Sequence, residues 1–188
     1  MKKLSLLAIV LLLAGCVGTS SPSRFYQLQQ TDAQVKPVSL RRMDIGVEEA
    51  FVPKYLDRPQ IVTMEPGSSE LKISEFSRWA EPLSSSLSRV LADDLALYLP
   101  KSVVKFKTLA SEDFTYTLTL EVNKMDAVLG QNLELDVWWT VYKNGRTVIR
   151  ERARLSSPID NSYENMADQT GVLINQLAGQ IAAGLAKS

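Results

Sequence analysis

Alternating apolar and polar positions in the second half of the chain predict a three-stranded antiparallel meander. Phe114–Val122 and Leu133–Tyr142 each carry apolar side chains at every second position, the pattern of half-buried strands. Leu129–Asn132 supplies the reversal between them. Asn144-Gly145 is a strong hairpin signal that leads into a third strand over Thr147–Leu155.

The length of the second loop decides which face of this meander is buried, because a shift of one residue moves every side chain to the other face. A two-residue loop would set Trp139 opposite Arg150 and place cations against an apolar row. A three-residue loop, Lys143–Gly145, sets Trp138 opposite Arg150 instead. We therefore predict the three-residue loop, with Trp139 in the core and Trp138 stacked under Arg150 at the surface. The accompanying outer pairs would be Asp136 with Arg152 and Glu134 with Arg154, leaving Val137 opposite Glu151 as the one poor match.

The first half of the chain predicts shorter strands. Arg24–Leu28 and Met43–Val47 are candidates. Gln60–Met64 and Glu70–Phe76 flank a turn, and this pattern predicts a hairpin. The segment Val52–Gln60 contains two prolines, which exclude it from a central strand.

Apolar side chains at helical spacing predict two long helices. The first has Pro82 at its first helical position and ends near Leu99, before Pro100. The second runs from Ser162 to the end of the chain. Their apolar stripes, predicted to be core, are Leu83, Leu87, Val90, Leu91, Leu95 and Tyr98 in one, and Tyr163, Met166, Thr170, Leu173, Leu177, Ile181 and Leu185 in the other.

The second helix contains Gly171, Gly179 and Gly184, each unfavourable by about 1 kcal/mol relative to Ala. Two interpretations stay open: the glycines allow another element to approach closely, or tertiary packing simply tolerates them. Together these patterns predict an α+β fold, a largely antiparallel sheet with two long helices packed on one face. One domain, residues 24–188, accounts for the whole body.

The chain begins with Lys2 and Lys3, the apolar run Leu4–Leu13, and then Ala14-Gly15-Cys16. This is a secretory signal, too short to span a membrane. It resembles the bacterial lipoprotein signal, which implies removal of residues 1–15, a thioether-linked diacylglycerol and further acylation on Cys16, the only cysteine. In that bacterial pattern, Asp directly after the lipidated cysteine retains the protein in the inner membrane. The residue here is Val17, so the resemblance implies export to the outer membrane, with the body facing the periplasm. Residues 16–23 form the acylated cysteine and a flexible tether of about 15 Å.

Charge and composition exclude several functions. Without the signal the chain has 19 basic and 21 acidic residues, so it lacks a nucleic-acid footprint. It has no histidine, no Walker-type loop and no Gly-x-Gly-x-x-Gly motif. We expect the neighbouring carboxylates Glu48-Glu49 and Asp93-Asp94 to be solvated rather than an acid–base couple. No catalytic, cofactor-binding or metal-binding residue is predicted, and the protein is not expected to be an enzyme.

Four stretches resemble the ABC-type transport auxiliary lipoproteins, over essentially the whole chain. They are the lipoprotein signal, Phe25–Leu28, the Val52–Gln60 segment and the Arg78–Leu83 segment. The resemblance implies a non-enzymatic component of a Pqi-type system, whose partner is an MCE-type (mammalian-cell-entry) tunnel protein that carries lipids between the inner and outer membranes.

Two functions are compatible with the sequence. One is a subunit that docks the tunnel at the outer membrane, with a homo-oligomeric ring around the tunnel's end as one arrangement. The other is a lipoprotein that itself binds or chaperones a lipid in an internal pocket. A deep apolar cavity would favour the pocket, and a filled core with exposed apolar surface would favour docking. Tyr55, Arg58 and Trp79 are the candidate interface residues. Trp79 could instead fasten the helix start to the core.

Overall fold

A computed structural model describes residues 21–31, 34–39, 41–109 and 112–187. The signal and Cys16 lie outside these residues. The strands are β1 (Arg24–Tyr26), β2 (Asp44–Val47), β3 (Gln60–Met64), β4 (Leu71–Trp79), β5 (Val103–Phe106), β6 (Tyr116–Val128), β7 (Asn132–Lys143) and β8 (Arg146–Pro158). The helices are α1 (Leu83–Tyr98) and α2 (Tyr163–Lys187).

The described strands form two sheets. A small sheet has the order β1-β4-β3 and a larger one the order β5-β2-β6-β7-β8. The long pairs β3–β4, β6–β7 and β7–β8 are antiparallel, whereas the short pairs β1–β4, β2–β5 and β2–β6 are parallel. The α+β class and the predicted meander are therefore confirmed. The sheet differs in being divided in two and in including β5, which was not predicted.

Both helices lie against the larger sheet and against each other. α1 contacts β2 and β5, and α2 contacts β7 and β8. The predicted stripes are buried, except that Tyr98 and Tyr163 are half-buried at the margins. Pro82 is the residue before the helix rather than its first helical residue, so that boundary was predicted one residue early. The core consequently lies between the helices and the inner face of the meander.

The loop between β7 and β8 has two residues, so the predicted three-residue loop is wrong. Asn144 and Gly145 both have positive φ, 47° and 74°, as the tight hairpin turn requires. Beyond the turn, β8 contains one extra residue relative to β7, because Tyr142 pairs with Thr147 but Val141 pairs with Ile149. This bulge at Val148 restores the predicted alternation of faces.

The predicted faces of the two tryptophans are confirmed. Trp139 is 1% exposed and lies opposite Glu151. Trp138 lies on the other face opposite Arg152, with the guanidinium carbons of Arg150 and Arg152 at 5.1 and 5.7 Å from its ring centre. The bulge also pairs Val137 with Ala153 instead of Glu151, so the apolar residue opposite Glu151 is Trp139 rather than Val137.

The glycines of α2 permit close approach, so the first of the two interpretations is correct. A β-carbon on Gly171 would lie 2.7 Å from the backbone oxygen of Gln29, and one on Gly184 would lie 2.8 Å from the Trp139 ring. At Gly179 the nearest atoms belong to the Tyr98 ring, at 3.2 Å. The N-terminal segment, α1 and the sheet therefore each pack closely against α2 at one of its glycines.

Candidate partner-binding surface

The sheet face opposite the helices carries a dense array of charge around Trp138, and we refer to it as the outer face. Its residues include Thr119, Glu121, Glu134, Asp136, Trp138, Arg150, Arg152 and Arg154. Antiparallel sheets commonly leave one face to solvent while the other packs on the core.

Ion pairs fix the charges of the outer face. Arg152 donates to both carboxylate oxygens of Asp136, at 2.7 and 2.6 Å, and Arg154 approaches the same carboxylate at 3.5 Å. The Arg152 guanidinium is the main reason that the pKa of Asp136 is lowered to about 2. Arg150 lies 3.5 Å from Glu121. Exposed pairs of this kind contribute little to stability, so their main effect is to order a charge pattern.

The segment between Phe51 and Gln60 runs along one side of the outer face. The Phe51 amide donates to the Leu120 carbonyl, and its own carbonyl accepts from the Val122 amide, both at 2.9 Å. The Phe51 ring therefore lies beside Glu121 and is 68% exposed. Leu56, only 5% exposed, fixes the middle of the segment to the core.

Tyr55 and Arg58 are both half-buried in this segment. Burial is the main cause that raises the pKa of Tyr55, and the nearby carboxylate of Asp126 on β6 raises it further. The Arg58 Nε is buried without a hydrogen-bond partner. Because that atom is buried, it is not itself accessible to a partner.

Trp79 does not belong to this surface. It is 6% exposed, packs within the core, and donates its backbone N–H to the Pro59 carbonyl at 2.7 Å. Its ring therefore has almost no area to offer a partner. The placement fits the other interpretation, in which Trp79 fastens the start of α1 and the end of the Val52–Gln60 segment to the core.

Sequence reasoning missed Phe51. Its signal was an isolated aromatic residue between a predicted strand and a proline, outside any periodic run. A bulky ring with no periodic partners is a candidate for exposure, and exposed aromatic residues are typical of interfaces. Phe51 and Tyr55 thus place two aromatic rings near the edge of a charged sheet face.

The space between the helices and the sheet is filled. The internal cavity there has a volume of about 10 Å³. Its wall is apolar and consists of Leu87, Leu91, Leu120, Val122, Leu135, Val137, Ile174 and Leu177. Ligand pockets are typically about 300–1,000 Å³, and about 10–15 Å³ is needed for one water. Four further depressions among the described residues are open surface grooves whose linings mix polar, charged and apolar side chains.

Of the four carboxylates predicted to be solvated, Glu49 and Asp93 are exposed, Glu48 is half-buried and 3.7 Å from Lys107, and Asp94 is buried. Glu49 accepts hydrogen bonds from the hydroxyl groups of Ser84 and Ser85, at 2.8 and 2.6 Å, and these bonds lower its pKa. It thereby places a negative charge at the uncapped N-terminus of α1, where the helix dipole favours one. Asp94 is 0% exposed, so the prediction of solvation is wrong there.

Among the described residues, no group of histidine, cysteine, aspartate or glutamate side chains is arranged to hold a metal ion. Within the same residues, no helix has the length and apolar character needed to cross a membrane.

These features define a small α+β domain with a filled core between the helices and the sheet and a charged, solvent-facing sheet face that is a candidate partner-binding surface. The chain belongs to the family of ABC-type transport auxiliary lipoprotein components, whose model matches residues 26–182. It is thus a lipoprotein of a transport system, and the family is not a class of enzymes.

Solved structures support the fold. A crystal structure of an uncharacterized protein matches with a TM-score of 0.72 and 22% identity, over 88% of this chain and 99% of that one. A protein from Xanthomonas campestris matches with a TM-score of 0.65 and 15% identity, over 87% and 95% of the two chains. No curated protein sequence matches the chain.

Proposed function

We propose that this lipoprotein is anchored in the outer membrane through acyl chains on Cys16 and docks a Pqi-type, MCE-domain tunnel protein there. The observation that carries the proposal is the filled core. The cavity between the helices and the sheet, about 10 Å³, is too small for an acyl chain. A filled core favours binding of another protein over storage of a lipid between these layers.

The Phe51–Tyr55–Arg58 segment and the adjoining outer face are the proposed docking surface. Aromatic and arginine side chains dominate the binding energy of most interfaces. Here Phe51 is exposed, and Tyr55 and Arg58 are half-buried. Trp138, between two arginines, extends the surface toward β8. Copies of the chain arranged as a ring would present this surface repeatedly around the tunnel's end.

Site-specific photocrosslinking in intact cells tests the proposed surface. A photoreactive phenylalanine at Phe51 should crosslink to a protein that contains an MCE domain, identified by mass spectrometry. The same group at Leu97, which is 39% exposed on α1 in the helix layer, is the matched control and should not. Crosslinking of the tunnel protein from Leu97 alone would place the partner on the helices and contradict the assignment.

Substitutions measure the contribution of each side chain. Tyr55→Ala and Arg58→Ala should each reduce recovery of the partner several-fold, because half-buried anchors lose packing and hydrogen bonding together. Tyr55→Phe keeps the ring and should retain most of the binding. Normal recovery of the complex from both alanine variants, with normal folding and secretion, would remove these residues from the interface.

The alternative function, a lipid held in the protein's own pocket, makes a different prediction. Protein purified under native conditions would then carry a non-covalent lipid in stoichiometric amount. We expect native mass spectrometry to show only the mass of the covalent anchor.

A further inference from the structure

The β3–β4 hairpin projects from the same part of the molecule as the membrane tether. Ser21 and Pro22 lie in a groove that is also lined by Phe76 and Ser77 of β4. β1 runs parallel to β4, with Arg24 opposite Ser77. The chain upstream of β1 therefore leaves the domain on the side of the hairpin, rather than at the far end of the long meander.

The tether is short enough to bring this hairpin to the bilayer. Cys16 precedes Ser21 by five residues, which span at most about 18 Å. Ile73 and Leu71 precede Phe76 by three and five residues, or about 10 and 17 Å along the strand. The acylated cysteine and the hairpin can thus reach the same plane. The Asn144-Gly145 turn and the Gly130 turn lie at opposite ends of β7, about 40 Å apart.

Strand β4 of the hairpin carries two apolar side chains that the fold leaves exposed. Leu71 and Ile73 are 41% and 50% exposed, whereas their partners on β3, Met64 and Val62, are half-buried and buried. Phe25 on the neighbouring β1 is 65% exposed. Three exposed large apolar side chains therefore lie on the two strands nearest the tether.

We propose that the β3–β4 hairpin rests on the lipid surface of the bilayer that holds the anchor, with Leu71 and Ile73 in contact with it. This inference rests on the proposed acylation of Cys16. The contact is apolar rather than electrostatic, because the hairpin carries three acidic residues, Glu65, Glu70 and Glu75, against two basic ones, Lys72 and Arg78, and Lys72 is itself paired with Glu65. A second attachment beside the acyl chains would hold the body in one orientation on the membrane.

A fluorescent label tests the contact in the intact acylated protein. The thioether consumes the thiol of the only native cysteine, so Ile73→Cys supplies one reactive site for an environment-sensitive dye. Val148→Cys is the matched control, because Val148 is 46% exposed and lies beside the opposite hairpin. Both labelled proteins are reconstituted into phosphatidylcholine vesicles, and both must show the wild-type unfolding transition.

We expect the label at position 73 to be blue-shifted and several-fold less accessible to iodide than the label at position 148. Addition of phosphatidylglycerol to the vesicles should not increase this protection, since the hairpin has an excess of negative charge. Equal quenching at the two positions would overturn the proposal. So would protection at position 73 that appears only when the tunnel protein is added, because the hairpin would then be a protein contact.

The two proposals fail separately in these experiments. Crosslinking from Phe51 to the tunnel protein does not depend on where the hairpin lies. Conversely, protection of the label at position 73 requires only vesicles and the anchor. A negative result in one experiment therefore leaves the other informative.

Discussion

At the scale of single residues, the burial of Asp94 is the feature most at odds with its chemistry. The side chain lies between α1 and α2 with no solvent exposure, and neither oxygen has a hydrogen bond of normal geometry. The amides of Asn175 and Gln30 are the nearest groups that favour its charge. Burial is the main cause that raises the pKa of Asp94 from 3.8 to about 6.

The pKa shift of Asp94 predicts that stability falls as the pH rises. The folded state binds this proton more tightly than the unfolded chain does, so the stabilisation is complete below the unfolded pKa and is lost as the pH passes the folded value. A shift from 3.8 to about 6 corresponds to about 3 kcal/mol. We expect the free energy of unfolding, from urea denaturation followed by circular dichroism, to decrease by up to that amount between about pH 4 and pH 7.

Asp94→Asn should remove this dependence and be more stable than the wild type at neutral pH, because the amide cannot ionise. Asp93→Asn is the matched control: Asp93 is exposed, so this substitution should change the profile less than Asp94→Asn does, even though partial burial also raises the pKa of Asp93. Parallel pH profiles for the wild type and Asp94→Asn would contradict this prediction, because they would show that Asp94 has the same pKa in the folded and unfolded states. The sequence could not reveal this carboxylate, because Asp94 lies beside the apolar stripe, and only the packing of α2 shows that the position is covered.

At the scale of elements, the helix glycines illustrate how contact geometry overrides propensity. Replacing a glycine with alanine in an exposed helix stabilises it by about 1 kcal/mol. At Gly171 the added β-carbon would meet the Gln29 backbone oxygen at 2.7 Å, and backbone cannot rotate away as a side chain can. The strain should exceed the gain in propensity.

We predict that Gly171→Ala lowers the free energy of unfolding by about 1–3 kcal/mol, the usual range for overpacking. Gly179→Ala is the matched control on the same helix, where the nearest atoms belong to the end of the Tyr98 side chain at 3.2 Å. It should be close to neutral. Equal stabilisation of the protein by both substitutions would mean that the N-terminal segment moves away from α2 at little cost.

The meander and the helices were predictable because their patterns are long. Each element buries one face over many residues, so its period is evident in the sequence. Most residues predicted for the two helical stripes are therefore found in the core. The bulge at Val148 was not predictable, because it depends on how the strands twist after the turn. Even so, the predicted partition of Trp138 and Trp139 is right, because the turn and the bulge together preserve the alternation.

β5 and the division into two sheets escaped prediction for a different reason. β5 has four residues, too few for a period, and it pairs in parallel with β2, which is distant in sequence. Of the candidate surface, Tyr55 and Arg58 came from the resemblance to a family. The burial of Trp79 and the exposure of Phe51 required the tertiary structure, since both are isolated aromatic residues in aperiodic segments.

At the scale of the whole molecule, the anchor and the proposed docking surface lie on different elements. The tether joins β1 at the small sheet, whereas the outer face belongs to the large sheet. An attachment at one sheet thus leaves the other free for a partner. Localisation and partner binding should consequently be separable by mutation.

Cys16→Ser tests the localisation. Without the thiol no diacylglycerol can be attached, and the unprocessed precursor should remain at the inner membrane through its signal. Membrane fractionation and immunoblotting measure both its position and its size. A processed Cys16→Ser protein in the outer-membrane fraction would contradict the anchor and the sorting argument together.

The parallel pairing of β1 with β4 also determines how the domain responds to mechanical load. Acyl chains held in a bilayer would transmit any pull from the partner through the tether and along the axis of β1. The hydrogen bonds to β4 run across that axis, so the three residue pairs from Arg24 to Tyr26 are sheared together rather than unzipped singly. Leu28, 1% exposed just beyond the strand, would have to leave the core next. We expect such a load to separate β1 from β4 at the edge of the small sheet first, and to withdraw Leu28 from the core second.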